Sequence, residues 1–328
     1  MSKNFHSILA KDIRTYLQYK RALGRKFDTE ESTLHLLDRF VSKKSVVSID
    51  VLDSTFIKTF LDSRSRERPR SYNHLLGVIR CFFNWLVIQE RLEHSPVQLH
   101  PRRTTSQPQP FLFNPEQIQQ ILVLAAQLPD NSRALHRSEI YQLIFSLMYG
   151  LGLRVGEITR LLYHDVNMER DFLVIRQTKF GKTRLVPFGP KIAQRLYSYL
   201  EKRVDWYGKW QPDDPVFSFS NQHQAQIRIE TISQTFHYLM LQLKFIIPPG
   251  VNEPCLHCLR HSFAVETLLR WYRTNVDPGR RLFHLSTFMG HVNPSSTAWY
   301  LTITDTLLDE ANRRFEHLAC GTFKEVPS

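Results

Sequence analysis

Apolar residues in the first ninety positions recur at three- and four-residue intervals. Ile13, Tyr16, Leu17 and Lys20 fit one helix, and Leu34, Leu37 and Phe40 sit near helical spacing in a second. A third helix is predicted after Asp53, through Phe56, Ile57, Phe60 and Leu61. A fourth is predicted from about Arg70 to Gln89, with Leu75, Ile79, Phe82, Phe83 and Leu86 on its apolar side. The periodicity stops where Pro96, Pro101, Pro108 and Pro110 crowd together, a density that ends helices and favours extended chain. The pattern thus divides a helical part, residues 1–93, from a second part, residues 113–328, by a linker over 94–112.

Beyond the linker the pattern is mixed. Asn114 caps a new helix, with Pro115 at its first position and Glu116 in its first turn. A buried helix is expected over Ile140–Tyr149, interrupted by Gly150 and Gly152 and resuming over Val155–Leu162. Phe172–Ile175 and Thr183–Pro187 are rich in β-formers on either side of Phe180-Gly181, which predicts a hairpin. Helices are expected at about 190–206, 230–245, 257–271, 284–290, 295–301 and 305–318, with Arg273–His284 as a surface connection. The fold class is therefore mainly α with a small antiparallel β-sheet in the second part.

Length and charge sharpen this picture. A chain of 328 residues is about twice an ordinary domain, and 42% hydrophobic content is enough for two cores. The net charge is +12, from 43 Lys+Arg against 31 Asp+Glu. The first 103 residues carry +8 of it, which suits a partner with a phosphate backbone. Arg64, Arg66, Arg68 and Arg70 precede the fourth helix, Arg80 lies on it, Arg102 and Arg103 lie in the linker, and Lys182 and Arg184 flank the hairpin. These nine are the candidate DNA contacts, although basic loops are as commonly just solvated. Residues 1–11 hold no long apolar stretch, and Tyr141–Leu153 is too short to span a bilayer, so no membrane partner is expected. Four cysteines do not make a disulfide framework, which excludes a stapled secreted scaffold and points to a cytoplasmic location, nucleoid-associated if the partner is DNA.

Five short segments carry candidate chemistry. They are Gly150-Leu-Gly-Leu-Arg154-Val-Gly-Glu157-Ile, Thr178-Lys179-Phe-Gly-Lys182-Thr-Arg184-Leu-Val-Pro187, His257-Cys-Leu-Arg260-His261, Gly290-His291, and Tyr300. Each is unspecific alone. Together, in this order and with His291 nine residues before Tyr300, they resemble the catalytic set of the tyrosine recombinase (phage-integrase) family. The likeness is strong over about 145–303 and weaker over the basic helical part.

The resemblance implies a two-domain, C-shaped DNA clamp with a core-binding domain at 1–93 and a catalytic domain at 113–328. It implies a site-specific recombinase that cuts and rejoins DNA through a 3′-phosphotyrosine and a four-way (Holliday) junction, in the service of a mobile element. Arg154 and Arg260 would clamp the phosphate, since paired guanidinium N–H groups match its oxygens. Tyr300 would attack, His257 would serve as base or proton relay, and Lys179 would protonate the leaving 5′-oxygen. His291 would hold the phosphate or its neighbours, and Glu157 would orient Arg154 and His257. No cofactor is required. Double-stranded DNA, a tetramer of the chain on DNA joined through helix 305–318, and accessory recombination proteins are the implied partners.

Two rival functions remain. One is a catalytically silent DNA-binding protein of the same fold, whose mark would be a missing arginine or tyrosine. The other is a type IB topoisomerase-like enzyme that nicks and reseals without exchange. Cys255-x-x-Cys258 with His257 and His261 also has the look of zinc ligands, but no second pair stands at suitable spacing, so no metal is expected.

Overall fold

The computed structural model describes residues 4–302, apart from 65, 104–107, 177–181, 220–224, 275 and 292. The chain divides into two compact units, residues 1–107 and 108–328.

Unit 1 is four helices around an aromatic-rich core: α1 (Ala10–Ala22), α2 (Asp28–Lys43), α3 (Ser54–Asp62) and α4 (Pro69–Ile88). The starts of α3 and α4 have a local cause. Asp53 caps α3 by accepting the Phe56 N–H at 2.7 Å, and Pro69 opens α4 where a missing N–H costs nothing. Ahead of α1, the buried Asp38 carboxylate accepts the N–H groups of His6 (3.0 Å) and Ser7 (2.9 Å). Tyr16 packs edge-on to Phe82 and tilted against Trp85, joining α1 to α4. Much of the proline-rich stretch is fastened to this unit. Val97 and Leu99 join its core, and Asn73 exchanges two hydrogen bonds with the Arg102 backbone, at 2.8 and 2.7 Å.

Unit 2 is built on α6 (Arg137–Gly150), which is buried on nearly every side, as a central helix must be. It packs on α5 (Pro115–Ala125), α8 (Pro190–Tyr207) and α10 (Leu256–Arg273), while α9 (Ile229–Leu243) packs on α5 and on α7 (Val155–Thr159). Asn114 and Gln117 form the full capping box of α5. The expected hairpin is present as β2 (Phe172–Ile175) and β3 (Arg184–Pro187), antiparallel, with Leu173 opposite Val186. The sheet has a third strand that periodicity did not predict, β1 (Val166–Asn167), too short to carry a signal. The Phe180-Gly181 turn lies outside the described residues, as does the expected helix 305–318.

The second half of unit 2 corrects one expectation. Arg273–His284 is not simply a surface connection. Asp277 accepts the Gly279 N–H at 2.9 Å and Pro278 follows it, so α11 (Pro278–Met289) starts a turn and a half earlier than the apolar pattern indicated. Then come α12 (Ser295–Ala298) and a 3-10 turn, Trp299–Thr302, that holds Tyr300. Among the described residues no helix is long and apolar enough to cross a membrane.

Candidate active site

The turn after α6 sets the first guanidinium. Gly152 adopts φ +60°, and a Cβ there would lie 2.4 Å from the Phe263 ring, so glycine is required for the chain to pass α10. Arg154 then caps α7 in extended backbone. Glu157, three residues on, accepts the Arg154 N–H at 3.0 Å through one oxygen and Arg154 Nη1 at 2.8 Å through the other. From β3, Arg184 gives both terminal nitrogens to the same carboxylate, each at 2.9 Å. Burial alone would raise the Glu157 pKa. The Arg184 hydrogen bonds and charge, seconded by Arg154, overcome it and hold the group at about 2.

The three guanidiniums also meet at the end of α11. Arg184 Nε donates to the Phe288 carbonyl at 2.8 Å, and Arg154 Nη2 to that of Gly290 at 3.1 Å. Arg260 Nη2 donates to the Met289 carbonyl at 2.6 Å and Nη1 to that of Gly152 at 2.5 Å. The last carbonyls of a helix lack intrahelical partners and carry the negative end of its dipole, so cations suit them. Gly290 ends α11 at φ +68°, and a Cβ there would stand 2.8 Å from Arg184 Nη1. Three guanidiniums against one carboxylate leave the cluster strongly positive. Arg260, wholly buried, has its pKa lowered to about 9 by burial and by the charge of Arg154.

Three histidines surround this cluster. His257 lines a cavity of about 530 Å³ with Arg154, Glu157, Arg160 and Cys255. Its ring is open to solvent on that side, yet the protein packed behind it and the charges of Arg260 and Arg154 hold its pKa near 4. His261 and His291 are lowered to about 3, first by burial and then by their cationic or histidine neighbours. All three are thus neutral imidazoles at physiological pH. His291 Nδ1 pairs with the buried Thr297 hydroxyl at 2.7 Å, which fixes its ring.

Tyr300 is 2% exposed and packs among Ala264, Leu268, Leu285 and Met289. Burial pushes its pKa up to about 12, against the pull of Arg260 and Arg154. Its hydroxyl pairs with His261 Nδ1 at 2.8 Å. The expected partner was His257. Instead His257 stands edge-on to His261, ring centroids 4.5 Å apart, one step behind it. The two are four residues apart on α10 and so share a face, a spacing visible in the sequence but not used there.

Arg154, Glu157, His257, Arg260, His291 and Tyr300 are therefore brought together, with His261, Arg184 and Thr297 added by the fold. Lys179 lies outside the described residues. Lys182 is exposed just ahead of β3. Arg184 differs from its expectation as a DNA contact: its guanidinium is turned inward and occupied by Glu157 and Phe288. Cys255 Sγ and Cys258 Sγ stand 3.5 Å apart, and among the described residues no group of three or more His, Cys, Asp and Glu is placed to hold a metal ion.

In unit 1 the candidate contacts are spread out. Arg68, Arg70 and Arg103 are exposed. Arg64 lies over the Phe60 ring, and Arg66 donates to the Ser71 hydroxyl at 2.8 Å. Arg80 bonds the Leu99 carbonyl, and Arg102 stacks on Tyr72 while donating to the Arg66 carbonyl at 2.9 Å.

A helical domain that gathers two arginines, two histidines and a tyrosine in this order is the arrangement of the tyrosine recombinases. The model of the phage integrase family matches residues 112–306, and the chain belongs to that family, as a tyrosine-type site-specific DNA recombinase. It is similar to a Sinorhizobium fredii protein named as an integrase/recombinase, y4rB: 33% identical over 306 residues, covering 93% of this chain and 96% of that one. It is also similar to the tyrosine recombinase XerD of Listeria innocua, 24% identical over 293 residues, covering 87% and 90%. Among solved structures, the Tn1549 transposon integrase in complex with a circular intermediate DNA shares the fold, with a TM-score of 0.65 at 15% identity over 94% of this chain and 98% of that one.

Proposed function

We propose that the chain cuts and rejoins double-stranded DNA through a covalent bond between Tyr300 and a 3′-phosphate. The observation that carries this reading is the excess positive charge of Arg154, Arg184 and Arg260, held by Glu157 and the end of α11 beside the Tyr300 hydroxyl. A phosphodiester entering the cluster takes over hydrogen bonds now made to carbonyls. Displacement at phosphorus builds charge on its equatorial oxygens, and donors fixed in advance stabilise that charge without reorganising. Arg154 and Arg260 are the clamp, Glu157 and Arg184 hold it in place, and His291 contacts the phosphate.

The phenol must lose its proton as it attacks. Tyr300 sits near 12 and His261 near 3, so before attack the proton stays on the phenol oxygen. As the hydroxyl turns to phosphorus it leaves its bond with His261. His257, neutral and facing the cavity, is then the group that accepts or relays the proton. Lys179 protonates the departing 5′-oxygen, and the phosphotyrosine conserves the bond energy for attack by a second strand. Two such exchanges pass through a four-way junction, which requires four copies of the chain on DNA. Unit 1 supplies the grip, and the transposon integrase among its structural neighbours supports service to a mobile element.

The deciding experiment is Tyr300→Phe, assayed on a nicked DNA substrate that traps the covalent adduct. The variant is expected to bind DNA as the parent does and to form no adduct. An adduct formed by this variant removes Tyr300 as the nucleophile. Lys179→Ala is expected to recover on a 5′-thio substrate, because a thiolate leaves without a proton. Supercoil relaxation with no exchange between two sites would turn the reading to a nicking-closing enzyme.

A further inference from the structure

The sequence Cys255-x-x-Cys258 straddles His257 and ends two residues before Arg260, and the reading above gives neither sulfur a task. Cys255 is exposed in extended backbone at the N-cap of α10, with φ −135° and ψ 167°. Cys258 is buried in the first turn, its N–H bound to the Cys255 carbonyl at 2.9 Å and its carbonyl to the Ser262 hydroxyl at 2.8 Å. The two sulfurs are 3.5 Å apart, and the Cys255 N–H points at Cys258 Sγ at 3.3 Å. One sulfur is thus reachable from solvent, and the other waits behind it.

We propose that Cys255 and Cys258 are a redox pair whose reversible disulfide switches off the DNA chemistry of the site they flank. The electrostatics suit an attacking Cys255. The Cys258 thiol hydrogen bond and the Cys258 and His257 N–H groups lower its pKa to about 6 against the effect of burial, and the positive end of an 18-residue helix adds to this. Cys258 is shifted the other way, upward, by its bond to Cys255 and by burial, so it stays a protonated thiol until Cys255 has reacted.

The oxidant is a small-molecule disulfide. Cys255 thiolate attacks one of its sulfurs, forming a mixed disulfide and expelling one small thiolate. Cys258 loses its proton, and its sulfur attacks Cys255 Sγ, forming the Cys255–Cys258 bond and expelling the second small thiolate. The protein loses two electrons and two protons, and the small disulfide becomes two thiols.

The effect on the site follows from geometry. A disulfide brings its sulfurs to about 2.05 Å, so the present gap of 3.5 Å must close by well over 1 Å. Cys258 is fixed in the core, so Cys255 and the start of α10 take up the motion. His257 lies between them and shares the cavity wall with Cys255, Arg154 and Glu157. A catalytic group misplaced by about 1 Å can lose a hundredfold in rate, so a fraction of the sulfur movement passed to His257 gives the loss expected here.

The loss of DNA cleavage rests on the function proposed above, whereas formation of the disulfide does not. The full-length protein is treated with oxidised glutathione, alkylated, digested and weighed. The peptide spanning 255–258 is expected to be unalkylated and lighter by two hydrogens, and dithiothreitol is expected to reverse this. In parallel, adduct yield on the nicked substrate is expected to fall tenfold or more on oxidation and to return on reduction. Cys255→Ser, an exposed and conservative change, is expected to keep the reduced activity and lose the sensitivity. Cys81→Ser, which removes the other exposed thiol among the described residues, is expected to stay sensitive.

Full alkylation of both cysteines after oxidant, or a glutathione adduct that persists on Cys255, overturns the pair. An internal disulfide with unchanged adduct yield overturns the switch. A reduced parent protein that forms no adduct overturns the function reading, and the mass measurement still decides whether the pair exists.

Discussion

The two units use arginine in opposite ways. In unit 1 the core is apolar and aromatic, and Arg68, Arg70 and Arg103 stay in solvent while Arg66 and Arg102 bond neutral oxygens near the surface. In unit 2, Arg260 is wholly buried and Arg184 nearly so, with Glu157 and three backbone carbonyls arranged around them. Charge left in water attracts a polyanion at long range, depends on salt and tolerates substitution. Charge drawn into the protein acts at short range, and the surrounding fold must be built to keep it there. Substitution should therefore separate the two units sharply.

The largest effect is expected at Glu157. Glu157→Gln keeps the shape and removes the carboxylate charge that Arg154 and Arg184 share. Breaking a buried ion pair from one side costs about 3–5 kcal/mol, which lowers the melting temperature by on the order of 10 °C for a domain of this size. Adduct formation should disappear with it. An unchanged melting curve would mean that the cluster is held by the α11 carbonyls alone.

Gly290→Ala should follow. The position has φ +68°, and the new Cβ would meet Arg184 Nη1 at 2.8 Å. Strain of this kind costs about 1–3 kcal/mol, and displacing Arg184 loosens Glu157 and the clamp behind it. Calorimetry and adduct yield should fall together. A variant as stable as the parent but inactive would locate the effect in the chemistry alone.

A graded effect is expected from pH. His257, His261 and His291 sit near 4, 3 and 3, below the ordinary histidine range, so the unfolded chain binds more protons than the folded one below about pH 6.5. Stability is complete above that value and declines as pH falls through it. Glu157, held near 2, adds a second loss below its unfolded pKa of about 4.5. Melting temperature measured from pH 7.5 to 5 should drop steadily, and His291→Asn should flatten the curve. A curve without slope above pH 5 would contradict the neutral histidines.

How much of this the sequence carried differs from part to part. The helices of unit 1 and the hairpin of unit 2 were readable because their apolar residues keep one period. Strand β1 was not, because two residues define no period, and the early start of α11 lies in Pro278–Arg281, where local capping replaces the apolar pattern. The site residues Arg154, Glu157, His257, Arg260, His291 and Tyr300 were legible through order and spacing. Direction was not. Nothing in a sequence tells that Arg184 turns inward to Glu157, or that Tyr300 bonds His261 and not His257. Both depend on how α10, α11 and the sheet pack, which is a tertiary property.

The smallest effect is expected in unit 1, and it tests the comparison most directly. Arg68 and Arg70 stand exposed at the start of α4, with no acidic residue in its first turn. If each meets a DNA phosphate, Arg68→Ala or Arg70→Ala removes one released counterion, and the slope of log affinity against log salt becomes shallower by about 0.9 per substitution. Stability should not change, because neither side chain is built into the core. Arg184→Ala should give the reverse result: an unchanged salt slope, a lower melting temperature and no adduct, since its guanidinium serves Glu157 and α11. Titrations of the full-length variants at several salt concentrations read the first pair, and melting curves read the second. A shallower slope for Arg184→Ala would place its charge on the DNA after all, and an unchanged slope for both Arg68→Ala and Arg70→Ala would remove that end of α4 from the DNA-binding surface.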